Sequence, residues 1–200
     1  MLYNTRVHRF TRDYEPTEIP PTVVSKEREN DYPIPQHLTY TSLNEKKDYI
    51  AISAQPPLDI LPRGLLPHLV PRRYYPPMMH YGWRIDDEHT ARAEAYYNEH
   101  TTAEEPESTV TIWQTGFRLM VEHKLGLRLR GPIFQTASGI TLLGDGPSND
   151  VLALYSNYCL ALAAPNFPDD TIKNIQQLLG FEQDPKWFLD MCEDEWIYGR

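Results

Sequence analysis

The chain has 200 residues, of which 40% are hydrophobic and 24% charged, with 2 cysteines and a formal net charge of −9. That length suits one domain able to bury a core without staples, and two cysteines exclude a disulfide framework. Residues 1–84 sum to +2, 85–107 to −7, 108–130 to +3 and 131–200 to −7, so the general basic surface that nucleic-acid binding requires is missing.

In chain order, MLYNTRVHRFTRDYEP lacks the apolar run of a secretory signal. Residues 1–60 read as irregular chain with two short strand candidates, HLTYTSL (37–43) and DYIAIS (48–53), around a turn at NEKK. Seven prolines follow within residues 56–77. Each removes an N–H donor and biases its predecessor to extended geometry, so helix and central strand are both disfavoured there. Asp86, Asp87 and Glu88 then stand where a helix N-terminus favours acids, and good helix formers continue to His100. Glu88 and Arg92 have the favourable i,i+4 order.

Ser108 opens a second helix candidate through Leu125, with Val110, Trp113, Phe117, Val121 and Leu125 on one face. LRLRGPIFQ and GITLLG alternate like strands of a hairpin turning at Thr136–Gly139, with Pro132 marking an edge. The apolar run VLALYSNYCLALAA reads as a buried helix with Ser148 as its cap. It is too short to cross a bilayer. Asp169 and Asp170 open a helix closed by Gly180, and Asp184-Pro185 suggests a last helix with proline at its first position. The expected fold is α+β: a single domain with a small antiparallel sheet, a mainly helical C-terminal half and a long proline-rich irregular segment in the N-terminal half. Residues 1–84 form an extended region packed on the domain, and residues 85–200 a helical and hairpin core.

Motif chemistry is mostly absent. No two histidines stand at i,i+2 or i,i+4, HExxH is missing, and two cysteines cannot build an all-cysteine zinc site, so no metal is expected. His89 and His100 share a helix face but stand about 16 Å apart at 1.5 Å per residue. GxGxxG and GxxxxGK[ST] are missing. GDGPSND carries Asp145 and Asp150, which repel phosphate, and breaks the calcium-loop pattern, so no cofactor is expected. GxSxG is missing. Cys159 lies among apolar residues and Cys192 beside three acids, which disfavours a thiolate at either; both are expected reduced. The pairs Asp86/Asp87 and Asp169/Asp170 are explained by helix starts.

The segment LLPHLVPRRYYPPMMHYGWR (65–84) is the distinctive stretch. Its prolines recur every four to five residues, not at the three-residue period of a polyproline ligand. Arg72, Arg73, Tyr74, Tyr75, Tyr81, Trp83 and Arg84 are the residue types of interface hot spots and form the candidate partner-binding set. The competing expectation is that the segment lies on its own domain and buries Leu65, Leu66, Leu69, Val70, Met78 and Met79. The function expected is therefore a soluble, cytoplasmic assembly or regulatory component that binds another protein or itself, without membrane or nucleic acid. The alternative is a small enzyme with a non-local histidine–carboxylate acid–base site, drawn from His80, Tyr81, His89 and His100.

Overall fold

In a computed structural model, the described residues are 24–25, 33–44, 55–70, 74–101, 112–127, 135–137, 150–160, 164, 167–190 and 197–198. The fold is α+β. Its centre is strand β2 (Met79–Arg84), buried from Met79 to Trp83. Antiparallel β4 (Val151–Ser156) lies on one side and β5 (Lys186–Leu189) on the other. With β3 (Gln135–Ala137) beyond β4, the sheet order is β3-β4-β2-β5. Leu58 covers the outer side of β5: its N–H donates to the Trp187 oxygen at 2.9 Å and its carbonyl accepts from the Trp187 N–H at 2.8 Å. A separate two-stranded ribbon pairs β1 (Tyr74–Tyr75) with β6 (Ile197–Tyr198). Among the described residues the α-helices are α1 (Tyr40–Asn44), α2 (Asp87–His100), α3 (Ile112–Leu125) and α4 (Asp169–Leu179).

Four stretches differ from the sequence reading. Residues 151–156, expected as helix, form β4, buried at every position. A continuous apolar run fits a strand covered on both faces as well as a buried helix, and the chain turns at Asn157 because that side chain has partners elsewhere. Residues 186–189, also expected as helix, form β5; Trp187 and Phe188 suit a pleated surface, and proline is accepted just before a strand. Residues 37–43, expected as strand, form a 3-10 turn (Gln36–Leu38) and α1. Here the hydroxyls outweigh β-propensity: Thr39 Oγ1 and Ser42 Oγ donate to the Gln36 oxygen at 2.9 and 2.7 Å. Thr136 and Ala137, expected in a turn, belong to β3. The strand expected at 48–53, the alternating stretch 128–134 and the Ser148 cap lie outside the described residues.

Other expectations hold. Asp86 caps α2, accepting the His89 N–H at 2.9 Å. Trp113, Phe117, Val121 and Leu125 of α3 all contribute to the core, with Phe117 and Val121 buried and Trp113 and Leu125 packed against them. α4 buries Ile172, Ile175 and Leu179 and ends at Gly180, whose φ of 78° is the left-handed conformation that glycine adopts without strain. α2 and α3 meet backbone to backbone: a Cβ on Gly116 would lie 2.0 Å from the Ala93 oxygen. Arg92 does not pair with Glu88; its guanidinium donates to the Leu179 oxygen, tying α2 to the end of α4.

The proline-rich segment is packed chain where it is described. Leu65, Leu66, Met78 and Met79 are buried, whereas Leu69 is 44% exposed and Val70 half-buried. Its carbonyls find donors just past β4. Asn157 Nδ2 donates to Leu65 O at 2.7 Å and Pro77 O at 3.0 Å, while Oδ1 accepts the Met79 N–H at 2.9 Å. Tyr158 Oη donates to Pro76 O at 2.6 Å. Asn157 is only 3% exposed, so each group left unpaired costs about 1–3 kcal/mol. Asn157→Ala is therefore expected to lose at least ~3 kcal/mol in chemical denaturation. Asn157→Asp is expected to lose more at neutral pH, because a carboxylate cannot donate to Leu65 O or Pro77 O and is itself buried.

Candidate functional site

A cleft of about 770 Å³ opens where β2 ends, α2 begins and the chain leaves α4 for β5. Each wall is set by a local device. Trp83 and Arg84 close β2, whose register against β4 shifts between Tyr81 and Gly82. Gly82 allows that approach, since a Cβ there would meet the Leu152 oxygen at 2.0 Å. Asp86 starts α2 and aims His89 and Arg92 along one side. Gly180 reverses the chain so that Phe181, Glu182, Gln183 and Asp184 form the opposite side. Pro56 and Pro57 add an apolar edge.

The floor is a stack of rings. Trp83 and Phe181 lie 5.0 Å apart and 1° from parallel; His89 covers Phe181 at 4.4 Å. Trp83 Nε1 and Gln176 Nε2 both donate to the Gln183 oxygen at 3.0 Å, which fixes the 181–184 turn. Around this floor stand exposed Arg84, Glu88, Glu182 and Asp184, none of them in an ion pair among the described residues. Lys186 is paired with Asp59 at 3.0 Å. His89 Nδ1 lies 2.5 Å from Asp86 Oδ1. The same carboxylate takes the His89 backbone N–H, and that bond holds the Asp86 carboxyl below the usual carboxylate range; burial opposes it, and the imidazole adds to the lowering.

The structure scatters the expected site residues. Arg72 and Arg73 lie outside the described residues, and Tyr74 and Tyr75 are half-buried in β1. Tyr81 and Trp83 are corrected to core, at 7% and 3% exposure. Strand alternation buries them: Tyr81 stacks on Tyr155 at 5.2 Å and meets Trp187 at 5.1 Å, uniting three adjacent strands. Of the seven, Trp83 and Arg84 reach the cleft, Trp83 as part of its buried floor and Arg84 as an exposed side chain.

The histidine candidates do not converge either. His80 faces away from the Tyr81 cluster and bonds Asp190 through Nε2 at 2.8 Å, a non-local pair sealed at 4% and 13% side-chain exposure. His89 lies in the cleft. His100 lies at the far end of α2, its ring on Tyr96 at 3.9 Å. Phe181, Glu182 and Asp184 were passed over as a connection between two expected helices. The glycine that reverses the chain before them was the available signal.

Among the described residues no group of three or more His, Cys, Asp or Glu stands where it could hold a metal ion, and no helix is long and apolar enough to cross a membrane. Comparison with family models, curated proteins and solved structures returns no match to this chain.

Burial pushes the Tyr81 phenol up to about 12, with the Asp169 and Asp184 carboxylates adding to the rise. Burial also raises Tyr155 well above its usual value, with Tyr81, Asp169 and Cys159 contributing. An unfolded tyrosine ionises near pH 10. The folded chain therefore keeps a proton that the unfolded chain gives up, and the resulting stability is complete below pH ~10 and lost as pH rises towards 12. Denaturation followed across that range should show the fall, and Tyr81→Phe should remove part of its slope.

Proposed function

We propose that this chain is a soluble, cytoplasmic assembly or regulatory component that binds another protein, and that the partner enters the cleft rather than meeting an exposed patch over residues 72–84. The observation that carries this reading is the cleft's construction: a buried aromatic floor ringed by exposed charges on rigid elements. An apolar centre inside a polar rim is the anatomy of a binding site. Glu88, Glu182 and Asp184 outnumber Arg84 and Arg92 among the exposed lining residues without an ion pair to a described residue, so the occupant that fits is an extended segment carrying arginine or lysine.

Panning a displayed peptide library against the chain should enrich basic sequences. The double variant Glu182→Lys/Asp184→Lys should weaken their binding by at least about tenfold, or 1.4 kcal/mol. Both side chains are exposed, so thermal stability should change little. Enrichment of no sequence, or binding indifferent to the double variant, would sink the proposal.

A second reading, an acid–base enzyme acting on a small polar substrate, is favoured by the 2.5 Å contact between Asp86 and His89. A carboxylate on Nδ1 holds the imidazole proton there and leaves Nε2 as a base. The pair differs from the expected non-local site, since it spans one helical turn and also caps α2. Turnover of ester or phosphoester substrates that disappears in His89→Ala and survives in His100→Ala would support this reading. Turnover unaffected by His89→Ala would reject it.

A further inference from the structure

α2 and α3 end side by side, and each brings a histidine to that end. The ring centroids of His100 and His123 lie 5.7 Å apart, with their planes at 52°. Both residues are exposed. Tyr96, one turn before His100, holds both rings. Its ring stacks on His100 at 3.9 Å. Its carbonyl oxygen lies 2.9 Å from His100 Nδ1, and its hydroxyl lies 3.3 Å from His123 Nδ1.

The carbonyl contact sets the tautomer of His100, and the hydroxyl contact permits the same one at His123. A backbone carbonyl only accepts, so neutral His100 carries its proton on Nδ1 and keeps a lone pair on Nε2. A tyrosine hydroxyl accepts as readily as it donates, so His123 can also hold its proton on Nδ1 and offer Nε2. A ligating histidine is commonly arranged this way, with one ring nitrogen donating to an oxygen that fixes the ring and the other left for the metal. With metal–nitrogen bonds of about 2.0–2.1 Å, two imidazoles at a tetrahedral angle on one ion have centroids roughly 5 Å apart. The observed 5.7 Å is within a small adjustment of two exposed side chains.

We propose that His100 and His123 form a two-histidine site for a divalent cation that favours imidazole, Zn²⁺, Ni²⁺ or Cu²⁺, and that the bound ion clamps the ends of α2 and α3. Among the described residues no third His, Cys, Asp or Glu joins the group, and water completes the coordination. Glu99 Oε2, 3.9 Å from His100 Nδ1, adds negative charge nearby. Mg²⁺ prefers oxygen ligands and is not held. The ion bridges two helices that the unfolded chain does not hold together, so it stabilises the fold. At 100 times the dissociation constant, the folding equilibrium constant rises about 100-fold, or about 2.7 kcal/mol.

The test is calorimetric titration of the whole chain with each of the three cations, with Mg²⁺ as control, alongside thermal unfolding in the same solutions. The expected result is one cation per chain and a raised Tm, both lost in His100→Ala and in His123→Ala and both kept in His37→Ala. Tyr96→Phe, which removes the hydroxyl behind His123, should keep the stoichiometry and weaken binding by about 10-fold or more. Failure of all three cations to bind would overturn the site. So would binding that persists unchanged in either single-histidine variant.

Discussion

The structure depends on a shortage of donors. A proline-rich segment offers carbonyls but few N–H groups, and once packed against the domain it cannot leave those carbonyls without partners. Asn157 meets this shortage with one side chain, giving two N–H donors to Leu65 O and Pro77 O and an acceptor to the Met79 N–H. The Asn157 N–H also donates to the Met79 oxygen at 2.9 Å. Met79 is the first residue of β2, so the group that docks the segment also sets where the central strand begins. The alternation along β2 follows from that start. Tyr81 enters the aromatic cluster, Trp83 reaches Phe181, and Arg84 emerges at the cleft.

Legibility in the sequence followed the range of the forces involved. α2 and α4 could be read because their limits are local: Asp86 serves an N–H three residues away, and Gly180 takes a conformation that other residues resist. β4 and β5 could not, because the apolar run VLALYS fits a buried helix as well as a buried strand, and the proline before KWFL is also the first-position signal of a helix. The deciding partners are β2, and for β5 also Leu58, both distant in sequence. The 36–44 turn was misread because propensity was weighed without the hydroxyl bonds of Thr39 and Ser42.

The site was legible only in pieces, for the same reason. The arginine, tyrosine and tryptophan cluster is real in composition, but a strand sends alternate residues to opposite faces and a central strand buries both. The cluster thus divides: Tyr81 goes to the core, Trp83 to the buried floor of the cleft and Arg84 to its exposed rim. His80 found its carboxylate 110 residues away in Asp190, and burial closed that pair off. His89 and His100, correctly placed on one helix, work at opposite ends of it. Their neighbours, Phe181 and His123, come from elements that the local pattern could not bring to them.

The cleft is assembled where elements end, and element ends normally expose backbone groups that could bind a visitor. Here the named ends are served from within. Asp86 takes the His89 N–H at the start of α2, Arg92 takes Leu179 O at the end of α4, and Gln176 O accepts from both Gly180 and Phe181. What those ends leave for a partner is side-chain charge around a covered aromatic stack. Recognition by such a surface depends on charge pattern and shape, and is correspondingly sensitive to salt. α2 itself buries only Ala93. It is held by the Gly116 contact, by Arg92 and by the aromatic stack through His89, with the cleft at one end and the paired histidines at the other.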